Sequence, residues 1–179
     1  MGSQVLILPG YGNSDENHWQ SLWESEYQSF HRVNQQSWDN PICDDWVNTL
    51  EKAVGFTKGD VKKGDVKIVA HSLGCLLLAK WAEQTKHKIS GALLIAVPDP
   101  KGDNFPKDAL GFYPVAKSKL NFPSTVIASN NDPYSHISFA KKCADHWGST
   151  LIELGDYGHI NSESRVRDWP FGLEQLNKL

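Results

Sequence analysis

Short apolar runs alternate with longer helical patterns along the whole chain, which predicts an α/β fold with a mainly parallel sheet covered by helices on both faces. Two further observations support this reading. Four of the six candidate strands are nearly continuous apolar runs, as strands buried on both faces are. The length, 179 residues, suits one domain with a sizeable core. We therefore expect a three-layer α/β/α architecture of six strands filling residues 1–179 as a single domain, with no cap domain.

The elements follow in order. Strands are expected over 4–8, 32–35, 66–70, 92–97, 125–129 and 150–154. The second is short and polar, which places it at a sheet edge. A Trp-rich helix is expected over 16–30 and another over 41–54, with Asn40 as its cap and Pro41 at its first position. The segment 73–84 is apolar almost all round and reads as a buried central helix. Further helices are expected over 134–147 and from Trp169 to the C-terminus. The repeat Lys58-Gly59-Asp60-Val61-Lys62, Lys63-Gly64-Asp65-Val66-Lys67 is too short for a solenoid and reads as a polar turn. The loop 98–124, rich in Pro, Gly and Lys, is the one segment long enough to cover a site.

Composition excludes several classes of function. A net charge of -3 leaves no positive excess for a nucleic-acid backbone. No apolar run approaches the roughly twenty residues that span a bilayer, and the N-terminus lacks the pattern of a secretion signal. Three scattered cysteines, Cys43, Cys75 and Cys143, with no C-x-x-C, fit reduced thiols in a cytoplasmic protein. Seven Trp read mainly as helix packing.

The chemistry concentrates in Val69-Ala70-His71-Ser72-Leu73-Gly74, where an apolar strand meets an apolar helix. Small flanking residues permit the tight turn of a nucleophile elbow, which lifts a serine hydroxyl above the carboxyl ends of the strands. Ser72 is the candidate nucleophile, with Ala70 standing where the usual motif has glycine. A serine hydroxyl needs a base, and the base needs an acid to orient it. In α/β-hydrolases acid and then histidine follow the serine on loops after later strands. Asp132, after the fifth strand, and His159, after the sixth, arrive in that order. Asp99 also follows a strand and is the rival acid. His71, His87, His136 and His146 read as solvated or packing groups, and Asp156 as a turn former.

An acyl-transfer site also needs donors for the developing oxyanion. The backbone N–H of Leu73 is the first candidate. The loop Pro9-Gly10-Tyr11-Gly12-Asn13 after the first strand offers a second at Tyr11. Gly12 and Trp19 are candidates for substrate contact, although helix packing accounts for Trp19 equally well. The pattern Gly10-x-Gly12 is not a dinucleotide fingerprint, because Asp15 occupies the third glycine position. No metal-binding or phosphate-cradling motif is present, so neither a metal nor a cofactor is called for.

With these residues in place the chain resembles the retinoblastoma-binding-protein-nine-like small serine hydrolases. The likeness rests on Leu8 to Asn13 with His18-Trp19, Trp38 to Pro41 with Asp45-Trp46, the elbow at Ala70 to Gly74, Asn131-Asp132-Pro133 and Gly158-His159-Ile160-Asn161. The resemblance implies a compact α/β-hydrolase with Ser72, Asp132 and His159 as triad and carboxylesterase-type activity on a small ester. The L-x-C-x-E motif linked with pocket-protein binding is missing; Leu73-Gly74-Cys75-Leu76-Leu77 lacks the Glu. A protein partner by that route is not expected. The competing expectation is a catalytically weak hydrolase fold that binds a protein or metabolite.

Overall fold

The structure is a computed structural model that describes residues 3–57 and 66–179. Most of the lysine-rich repeat falls outside the described residues. The chain forms β1 (Gln4–Leu8), α1 (Trp19–Glu26), β2 (Phe30–Arg32), α2 (Cys43–Thr57), β3 (Val66–His71), α3 (Leu73–Ala82), β4 (Gly91–Ile95), β5 (Ser124–Ala128), α4 (Ile137–Trp147), β6 (Thr150–Glu153) and α5 (Pro170–Asn177). All six strands pair in parallel, in the order β2-β1-β3-β4-β5-β6.

Alternation along each strand divides the core in two. Leu6, Leu8, Ile68, Ala70, Leu94 and Val126 face a layer made by α2, α3 and α4. Val5, Ile7, Val69, Leu93, Ile95 and Ile127 face α1 and α5, where Trp19, Trp23 and Trp169 cluster. Both faces of the sheet are thus covered, which is why these strands lack a polar side. Trp19, Trp23, Trp46, Trp81 and Trp147 are fully buried, as helix packing requires. α3 is buried along eight of its ten residues.

Several boundaries differ from expectation. α1 begins at Trp19 because the imidazole Nδ1 of His18 accepts from the N–H of Gln20, a side-chain cap that closes the helix start. It ends at Glu26, since a turn at Tyr27 delivers the chain into β2, which sits at 30–32 rather than 32–35. α2 starts at Cys43, not Pro41. Ile42 pairs with Leu110 instead, through hydrogen bonds from Cys43 N to Leu110 O and from Leu110 N to Pro41 O, each 2.9 Å. The long loop between β4 and β5 is accordingly tied down, with Phe112, Ala116, Leu120 and Phe122 buried in the larger core.

Candidate active site

The strand order reverses direction between β1 and β3: the chain leaves β1 for the edge strand β2, then returns to β3 and moves the other way. Such a switch point leaves a crevice at the carboxyl ends of the strands. The loops after β1 and β3 both open into it.

At the end of β3 the chain turns abruptly into α3, and Ser72 takes φ 53°, ψ −123°, a conformation that L-residues adopt only under constraint. Close approach makes the turn possible. A Cβ on Gly10 would stand 2.8 Å from the Ser72 Cβ, and one on Gly74 would stand 2.5 Å from the carbonyl oxygen of Leu8. Glycine is required at both positions. Ala70, paired opposite Leu8 and Leu94, is fully buried and its methyl fills the core.

Ser72 Oγ lies 2.8 Å from His159 Nε2. On the other side of the ring, His159 Nδ1 lies 2.9 Å from each carboxylate oxygen of Asp132. Both partners are nearly buried, with side chains 8% and 4% exposed, so the pair is shielded from competing water. The Asp132 carboxylate also accepts from the N–H of Tyr134 at 2.9 Å. Asn131 links the two loops, its Oδ1 accepting from the N–H of Gly158 at 2.7 Å. The rival Asp99 is engaged elsewhere: its carboxylate accepts from the N–H of Lys101. Asp156 is exposed and His136 caps α4.

The histidine loop is held from below as well. His71 Nε2 lies 2.9 Å from the carbonyl oxygen of His159, and since a carbonyl only accepts, this nitrogen carries the proton. Burial holds the His71 imidazole well below its usual range, with His18 and His159 adding to the effect. His18 is pushed down to about 4, chiefly by burial, against the opposing pull of Asp15. Its Nδ1 accepts from Gln20, so the proton sits on Nε2, which has no hydrogen-bond partner. Cys75, buried beneath the elbow, has its thiol pushed up by burial and is no competing nucleophile.

Above Ser72 opens a cleft of about 170 Å³, lined among others by Tyr11, Asn13, Leu73, Phe105, Tyr134 and Asn161. Tyr11 and Leu73 therefore reach the site, and Leu73, as the first residue of α3, has an N–H with no intrahelical partner. Gly12 and Trp19 do not line it. Gly12 has φ +72° and donates its N–H to Trp38 O, so it serves the turn. Trp19 is fully buried and donates to Ile160 O. Asn13, Phe105, Tyr134 and Asn161 were not named as site residues from the sequence, although Asn13 and Asn161 lie in the stretches that carry the resemblance. Among the described residues no cluster of His, Cys, Asp or Glu is arranged for a metal, and no helix is long and apolar enough to cross a membrane.

A parallel sheet with a strained serine turn at its switch point defines an α/β-hydrolase. The comparisons agree with that class and narrow it. The chain belongs to the serine hydrolase family, whose model matches residues 5–178. It is 27% identical over 189 residues to YdeN of Bacillus subtilis strain 168, named as a candidate hydrolase, covering 98% of this chain and 95% of that protein. A crystal structure from Pectobacterium atrosepticum, of a protein named for its likeness to YdeN, superposes with a TM-score of 0.83 at 29% identity, covering 99% of this chain and 90% of that one. Mouse α/β-hydrolase domain-containing protein 10 shares the fold at a TM-score of 0.59, with 16% identity and 99% and 89% coverage.

Proposed function

We propose that this protein hydrolyses a small ester through an acyl-enzyme on Ser72, with His159 as base and Asp132 as orienting acid. The observation that carries the reading is the unbroken hydrogen-bonded line from Ser72 Oγ through the His159 ring to Asp132, at 2.8 and 2.9 Å. Ser72 Oγ attacks the ester carbonyl as its proton passes to His159 Nε2. Asp132 accepts from Nδ1–H, which keeps Nε2 free as a base and steadies the imidazolium that forms. The N–H groups of Leu73 and Tyr11 receive the oxyanion. His159 then returns the proton to the departing alcohol, and a water, activated by the same nitrogen, releases the acid. No cofactor takes part in this scheme.

The cleft, smaller than the usual 300–1,000 Å³ of sites for drug-sized ligands, suits a small acyl group. The landmarks from Leu8 to Asn161 support a place in the retinoblastoma-binding-protein-nine-like branch of the family, acting as one domain. Three buried, unpaired cysteines support a reducing, cytoplasmic setting. Turnover of p-nitrophenyl acetate by wild type and Ser72→Ala tests the proposal: we expect the variant to lose several orders of magnitude, and equal rates would overturn it. Failure of a fluorophosphonate to modify Ser72 in folded protein would favour a binding role instead.

A further inference from the structure

We propose that the side-chain amide of Asn13 is a substrate-contacting donor, aimed into the cleft by Arg32; the inference rests on the serine hydrolase reading above. Arg32, at the end of the edge strand β2, has a side chain only 10% exposed. Its guanidinium is fully engaged. Nη1 donates to Asn13 Oδ1 at 2.7 Å and to Ser14 O at 2.9 Å, Nη2 to Ser21 Oγ at 2.6 Å, and Nε to Glu24 Oε2 at 2.9 Å. The same glutamate takes the Arg32 backbone N–H at 3.1 Å.

A guanidinium has donors and no acceptor, so the Asn13 atom facing it must be the carbonyl oxygen. The amide NH₂ is thereby turned away from Arg32. Asn13 lines the same cleft as Ser72 and Tyr11. The backbone donors beside it are already used: Gly12 N–H goes to Trp38 O at 3.0 Å and Asn13 N–H to Gly10 O at 3.2 Å. Besides the Tyr11 N–H, the Asn13 side chain is what this stretch of loop has left to offer an incoming oxygen. The chemistry it fits is a carbonyl or oxyanion oxygen of the substrate, alongside the backbone N–H groups of Tyr11 and Leu73. Arg32 touches no substrate and acts as a positioning residue.

A purely structural role for Asn13 is the competing explanation, since its φ of +68° favours Asn. The two are separable. Asp tolerates the same backbone and accepts from Arg32 equally well, but offers no N–H; glycine keeps the backbone and offers nothing. The experiment measures the second-order rate of Ser72 modification by a fluorophosphonate, with thermal melting as a check on folding. We expect Asn13→Asp and Asn13→Gly both to slow labelling on the order of 10²-fold while melting stays near wild type. Agreement between them assigns the loss to the missing donor rather than to the new charge. Arg32→Lys, which loses the planar fork, should slow labelling in the wild-type background and add nothing in Asn13→Gly. Labelling of Asn13→Asp at the wild-type rate, or an undiminished Arg32→Lys effect in Asn13→Gly, overturns the inference and leaves the Ser72 reading standing. An unlabelled wild type overturns both.

Discussion

The indole Nε1 of Trp19 donates to the carbonyl oxygen of Ile160 at 2.8 Å, joining the first helix to the residue that follows His159. Both residues are fully buried, and Ile160 has φ 49°, so the carbonyl is held in place by this bond rather than by relaxed backbone. Trp19→Phe keeps most of the ring but leaves that carbonyl unpaired. We expect a loss of about 1–3 kcal/mol in urea unfolding together with slower Ser72 labelling. A variant destabilised by this amount but labelled at full rate would show that the histidine loop holds its geometry without Trp19.

Glycine requirements divide sharply between two positions. At Gly74 a methyl would meet backbone, the Leu8 carbonyl oxygen at 2.5 Å and that of Pro9 at 2.9 Å, and neither can move without opening β1. Gly74→Ala should cost about 3 kcal/mol or prevent folding. At Gly55, inside α2, the nearest atom to a new methyl is His87 Nε2 at 3.6 Å. Gly55→Ala should stabilise by about 0.5–1 kcal/mol through helix propensity alone. Melting curves of the two variants check both signs.

On the proposed mechanism, Asp132→Asn changes one atom and the direction of a hydrogen bond. An amide facing His159 Nδ1 can donate to it, which favours the tautomer with its proton on Nε2, where the base is needed. Turnover should fall by about 10⁴-fold near neutral pH, with little change in stability. A loss of tenfold or less would remove Asp132 from the role of orienting acid.

Stability should depend on pH through His18. Below pH 6.5 the unfolded chain takes up a proton at this residue that the folded chain refuses until about pH 4. The folded state is therefore weakened as pH falls through that window, by about 3 kcal/mol for this one group, and the loss is absent above it. Buried His71 acts in the same direction. His18→Asn keeps a capping side chain at the start of α1 while removing the titrating ring. Urea midpoints between pH 4 and 7 should fall less steeply for this variant than for wild type; parallel curves would refute the assignment.

The parts of the fold legible in the sequence are those set by strong local patterns. β1, β3, β4 and β5 are buried on both faces, so each is written as an apolar run, and their positions emerge within a residue or two. β2 was displaced because a three-residue edge strand paired on one side carries almost no pattern of its own; its place is set by the register Val5 to Phe30. The start of α2 was missed for a similar reason. Asn40 and Pro41 have the right chemistry for a helix start, but Leu110, distant in sequence, takes the backbone groups of Pro41 and Cys43. Ser72, Asp132 and His159, which the fold brings into one hydrogen-bonded line, were legible because each ends a strand-to-loop transition in a fixed order. Gly12 and Trp19 were misjudged because nearness in sequence to the cleft does not say which way a group points. Arg32 and Asn13 were invisible as a pair, since only the folded sheet brings β2 beside the first loop.

β1 lies inside the sheet, flanked by β2 and β3, although it is made before either neighbour. Its second neighbour does not exist until the nascent chain has reached residue 66 and beyond. At a synthesis rate of roughly 5–20 residues per second, the apolar run Val5 to Leu8 waits several seconds on the ribosome before its ladder can close. Pairing at that range is slow to nucleate and leaves a sticky strand unshielded meanwhile. The vulnerable interval thus lies between the synthesis of β1 and that of β3, when an unshielded apolar strand is open to misassociation between neighbouring nascent chains.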